Sequence, residues 1–201
     1  MSAPAATCPA ESVEVRSMRD GRLLVLRPLG PADAALMQAF VRRLSPASRR
    51  MRFHSAFSEL YPELLARLTE IDHRERVAFA AVIYEHGGEV MIGEARYAPG
   101  IDLPGSSEFA LVVADEWQDL GIGTLLMEKL LRHARAIGIR RMHGDVQHDN
   151  TGMLRFARRF GFETGRHPDG AWLARVTVSL PPPPWVVAPL AEEGLREPAP
   201  A

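Results

Sequence analysis

Cysteine is nearly absent from this chain: Cys8 is the only one among 201 residues. That excludes a disulfide framework within one chain and any metal site built on several thiolates. Long apolar runs are missing as well. Nothing approaches the ~18 consecutive apolar residues of a membrane span, so no membrane attachment is expected. Neither sign of charge dominates, since 24 Lys and Arg balance 25 Asp and Glu to a formal net charge of −1. A broad basic surface for nucleic acid or anionic lipid is therefore not expected. The local basic runs at Arg49, Arg50 and Arg52 and at Arg155, Arg158 and Arg159 read as solvated helix faces. Residues 1–10 have neither a basic start nor an apolar core, so a secretory leader is not expected and a cytoplasmic location is.

What remains is a globular composition, 46% hydrophobic and 24% charged, long enough for one ordinary domain. Residues 1–12 are small, polar and proline-containing, and Pro181 begins a four-proline run. Both ends read as disordered tails, at 1–12 and 181–201, around a domain at 13–180. Within it, 13–18 and 23–27 flank Asp20-Gly21, a hairpin signal. Segments 31–44, 46–53 and 63–70 read as helices, and 77–84 and 90–97 as strands joined by a five-residue connection. Residues 107–114 form a further strand and 121–137 a helix with Ile122, Leu125, Leu126, Leu130, His133 and Ile137 on one stripe. A strand at 140–146, a helix at 150–160 and a strand at 171–180 complete the pattern. This order predicts an α/β (α+β) layer with a mixed sheet of about six to seven strands.

The most informative segment is Gln118-Asp119-Leu120-Gly121-Ile122-Gly123, where an apolar strand runs through a glycine turn directly into a helix. The first turn of a helix carries unpartnered N–H groups and the positive end of the helix dipole. Glycines let backbone approach an anion closely. The segment reads as a pyrophosphate cradle, or as a glycine helix entry with no ligand. Leu126 stands where a dinucleotide fingerprint wants its third glycine, and residues 122–125 supply no Lys-Ser/Thr pair for a P-loop.

The spacing of Gln118-x-x-Gly121-x-Gly123 to Asn150, which opens a helix ending in Gly161-Phe162, resembles the GNAT superfamily of N-acetyltransferases. The resemblance covers about residues 22–178. It implies a GNAT fold with a mostly antiparallel sheet that splays between the strands at 107–114 and 140–146. It also implies acetyl-CoA as co-substrate. Leu111, Val112 and Val113 would meet the pantetheine arm as an added strand. Gln118, Asp119, Leu120, Gly121, Ile122, Gly123 and Thr124 would hold the pyrophosphate, and Asn150 and Phe156 would complete the cofactor side. Leu26-Arg27-Pro28, the stretch from Leu44-Ser45-Pro46 to Arg52-Phe53, Glu108-Phe109-Ala110 and Trp117-Gln118 look more narrowly like bacterial protein lysine acetyltransferases. A second domain of the kind those proteins often carry is not expected within 201 residues.

The chemistry the resemblance implies is direct attack of an amine on the thioester in a ternary complex. It needs a proton acceptor, an oxyanion donor and a departing thiolate. Glu108, at the start of the pantetheine strand, is the base the resemblance implies, and apolar neighbours there would also raise a carboxyl pKa. Glu94 is the fallback. A strand amide, Val112 or Val113, is the expected oxyanion donor. Many GNAT enzymes place a thiolate-protonating tyrosine where this chain has Ala157; a CoA thiol is acidic enough to leave without it. Arg158 and Arg159 are candidates for the 3′-phosphate, and Asp72, Glu75, Glu94 and Glu108 for an acidic acceptor groove. His143, Asp145 and His148 read as a strand end leading into a helix cap, so no metal is expected. Acceptors in view are a protein lysine, a polyamine or an antibiotic amine, in a monomer or homodimer; a non-catalytic acetyl-CoA sensor is the rival reading.

Overall fold

Asp20-Gly21 turns the chain between β1 (Glu14–Ser17) and β2 (Leu23–Pro28), with Gly21 at φ 84°. The computed structural model describes residues 13–181 apart from Ala56, Asp102, Pro104, Asp169 and Ala171, so nearly all of both expected tails lies outside the described residues. A 3-10 turn at Pro31–Asp33 leads into α1 (Ala34–Arg43), where one helix over 31–44 was expected. Pro46 and Pro62 begin α2 (Pro46–Phe53) and α3 (Pro62–Thr69), the helical position where a missing N–H costs nothing. The Ser45 hydroxyl accepts from the Ser48 N–H and caps α2.

β3 (Val77–Glu85) and β4 (Gly88–Pro99) are joined more tightly than expected, through His86-Gly87 alone. Their φ values of 51° and 82° are those of a two-residue hairpin turn that needs positive φ at both positions. β5 (Ser107–Val113), α4 (Ile122–Ala136), β6 (Arg141–Gln147), α5 (Thr151–Arg159), β7 (Glu163–Arg166) and β8 (Leu173–Ser179) follow. The sheet runs β1-β2-β3-β4-β5-β6-β8-β7, antiparallel throughout except between β5 and β6. It has eight strands, more than the six to seven expected. The additional one is β7, Glu-Thr-Gly-Arg, whose four residues are all exposed and carry no apolar alternation to announce them.

Helices cover both faces of the sheet. Successive strand residues point to opposite sides. A Cβ built on Gly93 would meet Leu126 and Ile122 of α4, whereas its neighbour Glu94 meets Arg52 of α2. So α4 and α2 lie on opposite faces. On α4, Ile122, Leu126, Leu130 and His133 are buried as the stripe predicts, joined by Met127, Leu131 and Ala134. Leu125 is only partly buried, and Ile137, just past the helix end at Ala136, is 42% exposed.

His133 is the one histidine that the α4 stripe carries into the core. Its Nδ1 pairs with the Tyr97 hydroxyl at 2.7 Å, and its Nε2 is buried with no hydrogen-bond partner among the described residues. Burial, aided by the charges of Lys129 and His73, pushes its pKa down to about 4. The fold therefore holds it neutral while an unfolded chain protonates it near its ordinary 6.5. Stability is intact above that value and falls as pH drops towards about 4. Urea unfolding at pH 7 and pH 5 is expected to show a loss of about 2 kcal/mol that His133→Gln removes. An equal loss in the variant would discount this histidine.

Candidate active site

β5 and β6 are parallel neighbours at two register positions, Ser107↔Met142 and Glu108↔His143. The next residue, Phe109, explains why pairing stops. Its ring lies against Gly144 so closely that a Cβ there would sit 2.6 Å from the ring edge, and Phe162 backs it at 4.9 Å between centroids. The ring is a wedge, and beyond it the strands part.

The parted edge of β5 has a defined polarity. Ala114 donates to the Ile92 carbonyl of β4 at 2.9 Å. Main-chain groups alternate in direction along a strand, so Val112 and Ala110 also bond towards β4, while Leu111 and Val113 point their N–H groups into the gap. Of the two expected oxyanion donors, Val112 is thus committed to the ladder and Val113 faces the opening. The Val113 carbonyl already accepts from the Gln118 side chain at 3.1 Å, which ties the glycine turn to the strand end.

In that turn Asp119 and Gly121 take φ 59° and 86°, left-handed values that glycine adopts without strain. Helix α4 starts immediately after, so the N–H groups of Ile122, Gly123 and Thr124 precede its first hydrogen bond, from Leu125 to Gly121. Gly123 is different from Gly121. Its φ is ordinary, and a Cβ there would meet Phe156 and Val113 only at 3.7 Å. Neither backbone strain nor the protein's own packing requires glycine at 123. Close approach by a ligand would. Across the gap Asn150 caps α5 by accepting from the Met153 N–H at 3.0 Å.

These elements enclose a groove of about 890 Å³. Leu111, Val112, Val113, Gln118, Asp119, Gly121, Gly123, Thr124, Asn150 and Phe156 line it, as does Glu108. The side chains of Leu120, which is 57% exposed, and Ile122, which is in the core, lie outside the lining, so only their backbone bears on the turn. Trp117 also lines the groove, held under the Arg22 guanidinium at 4.2 Å. Near α5 the lining basic residues are Arg155 and Arg159, not Arg158.

The acidic acceptor groove expected from Asp72, Glu75, Glu94 and Glu108 does not assemble. Asp72 accepts the Arg74 and Arg76 N–H groups in a surface loop, and Glu75 lines a separate shallow depression. Glu94 is fully buried between Arg52 and Arg96 and lies outside the groove lining. Burial would raise its carboxyl, but the charges of Arg96 and Arg52 outweigh that and hold it below its ordinary value. The fallback base is thus removed. Glu108 lines the groove from the point where the strands part, exposed and not walled in by apolar groups as expected.

Four lining residues come from α2 and its C-cap and escaped the sequence reading: Ser48, Met51, Arg52 and His54. His54 ends α2 at φ 53°, with the Trp172 ring edge-on at 5.8 Å. Burial lowers its pKa despite the opposing charge of Asp145, so its imidazole is neutral at pH 7. Asp145 is itself occupied, accepting from Arg175 at 2.8 and 2.9 Å and pairing with His167 at 2.8 Å. Buried His143 pairs with the Ser106 hydroxyl at 3.0 Å. The only signal for the α2 residues lay in polar groups on a helix too short for its periodicity to be read.

A sheet parted beside a glycine helix entry defines an acyl-CoA-binding transferase fold. The family model described as "Acetyltransferase (GNAT) family" matches residues 42–162. The chain belongs to the GNAT family and is an N-acetyltransferase by class. It is 37% identical over 155 residues to Acetyltransferase PA5475 of Pseudomonas aeruginosa, covering 77% of this chain and 83% of that one. It is 29% identical over 161 residues to Acetyltransferase Pat of Mycolicibacterium smegmatis, covering 80% of this chain but 47% of the relative, so it spans about half of that protein. The crystal structure of the GNAT domain of S. lividans PAT superposes with a TM-score of 0.74 at 26% identity, covering 84% of this chain and 97% of that domain. GNAT acetyltransferases use acetyl-CoA.

Gly123→Ala separates the ligand's needs from the protein's. The helix should gain slightly from alanine, so Tm is expected unchanged or raised, while acetyl-CoA binding weakens about tenfold or more. Calorimetric titration beside a melting curve reads both quantities; undiminished binding would remove Gly123 from the cradle.

Proposed function

We propose that this protein moves the acetyl group of acetyl-CoA to a primary amine by direct attack in a ternary complex, with a protein lysine side chain as the acceptor. The single observation that carries the chemistry is the parted β5 edge, which sets Glu108 at one end of a continuous groove and the glycine turn at the other. The backbone at Leu111 and Val113 pairs with the pantetheine arm as an added strand would. The amides of residues 119–124 hold the pyrophosphate, and Arg155 and Arg159 stand near the far phosphate. The lysine acceptor rests on the resemblance to bacterial protein lysine acetyltransferases.

Glu108 takes a proton from the acceptor's ammonium, directly or through water. The neutral nitrogen attacks the thioester carbon, and the Val113 N–H stabilises the oxyanion. The C–S bond then breaks and CoA leaves as thiolate. Nothing at position 157 assists that departure, since Ala157 is fully buried.

Transfer to lysine peptides and to small amines should be measured for Glu108→Gln beside His54→Asn. The glutamine variant is expected to lose about 10²-fold or more in kcat, with acetyl-CoA affinity retained. His54→Asn, which keeps a residue tolerant of left-handed backbone, is expected to retain most activity. Loss confined to the His54 variant would move the base to that imidazole. Tight acetyl-CoA binding without turnover on any amine would support the sensor reading instead.

A further inference from the structure

Between α2 and β4 the protein buries more positive than negative charge. Glu94 is fully buried, and the side chains of Arg52 and Arg96 are 9% and 12% exposed. Arg52 Nη2 donates to the Glu94 oxygens at 3.3 and 3.5 Å. Arg96 Nε bonds to Glu94 Oε1, and its Nη2 donates to the Leu68 carbonyl at 3.0 Å. Among the described residues Glu94 is the only carboxylate within ion-pairing distance of either guanidinium. Two cations share one anion, and a buried uncompensated charge is costly.

The excess is directed one way. Arg96 and Glu94 lie outside the groove lining, whereas Arg52 is part of it. Among the described residues Arg52 Nε is buried without a hydrogen-bond partner, and its guanidinium lies over the Phe53 ring at 4.6 Å. A ring face offers a cation some attraction but no acceptor oxygen. On the same face of the sheet stands Glu108: it pairs with Ala98 in a register that pairs Val112 with Glu94, and residues two or four apart in a strand share a face. On one face of the sheet the groove thus presents a carboxylate for an ammonium and, apart from it, an under-neutralised guanidinium.

We propose that Arg52 is a specificity residue that pairs with a carboxylate carried by the acceptor close to its amine. This rests on the amine-acetylation reading of the groove. A planar guanidinium matches a carboxylate in charge and hydrogen-bond geometry. The acceptors that fit are α-amino acids, or a lysine flanked by an acidic residue. Polyamines, which carry positive charge alone, meet a net cation.

The test compares acceptors in matched sets: an α-amino acid, its primary amide and its decarboxylated amine, and lysine peptides with Glu or Gln beside the lysine. For the wild-type protein the carboxylate-bearing member of one or both sets is expected to have a KM lower by about tenfold or more at similar kcat. Which set shows it identifies the source of the carboxylate. Arg52→Gln should abolish the difference and Arg52→Lys restore part of it. Absence of a preference in the wild type, which requires no variant to fold, overturns the proposal. So does an equal fall in kcat for every acceptor of a folded Arg52→Gln protein, which would make Arg52 an oxyanion donor. Calorimetric binding of the deaminated carboxylic acid to CoA-loaded wild type and Arg52→Gln is read separately. Acid binding through Arg52 without turnover on any amine would keep the carboxylate site and reject amine acetylation. Acetylation without carboxylate preference would do the reverse.

Discussion

The site depends on one steric wedge. Gly144 has no side chain, so the Phe109 ring packs directly against β6 at the point where its pairing with β5 ends, and Phe162 backs the ring there. Past the wedge, main-chain groups of Leu111 and Val113 lack the neighbour that a continuous sheet would supply. Partly buried N–H groups are costly to leave unmade, so the parted edge has a physical demand for an extended, amide-bearing ligand. An acyl-CoA arm has that chemistry. The same wedge delivers Glu108, the last paired residue of β5, to the mouth of the opening.

A second constraint joins the two ends of the groove. The Asp115 carboxylate accepts from the Ser45 N–H, the Ser45 hydroxyl and the Ser48 hydroxyl, at 2.7 to 2.9 Å. Asp115 lies two residues past β5 and three before Gln118, so the start of α2 is fastened to the segment that forms the cofactor turn. At the far end of α2, Arg50 reaches Gln147 and Asp149, 97 and 99 residues away in sequence. Helix α2 therefore bridges both parted strands. The residues it contributes, Arg52 and His54 among them, are held against the cofactor side without belonging to it.

The split between what was legible and what was not follows the range of the interactions. Asp20-Gly21, Pro46, Pro62, Gly121 and Asn150 act through their own backbone or within one turn of helix, and the elements they bound lie within a few residues of expectation. β7 was invisible because its four exposed residues have no apolar side to present. Leu125 and Ile137 were overread because a stripe specifies the side of a helix and not how far its packing extends. At the site the position of the glycine turn between strand and helix was readable. Which strand amide opens to the gap was not, because that phase is set by pairing with β4.

The charged residues mark the boundary most clearly. Sequence alone could nominate both Glu108 and, as a fallback, Glu94, carboxylates on neighbouring strands. Only the packed structure separates them: Arg52, 42 residues away, and Arg96, two residues on, close over Glu94, while Glu108 stays in the opening. By itself the sequence determined the succession of elements apart from β7, the helix-entry turn and hence the family, because glycine dihedrals and apolar periodicity are local properties. Tertiary structure decided at which residue the two strands part, which carboxylate is sealed and which cation is left short of an anion. Those outcomes depend on burial and on charges brought together from distant segments, and neither is expressed in the order of the residues.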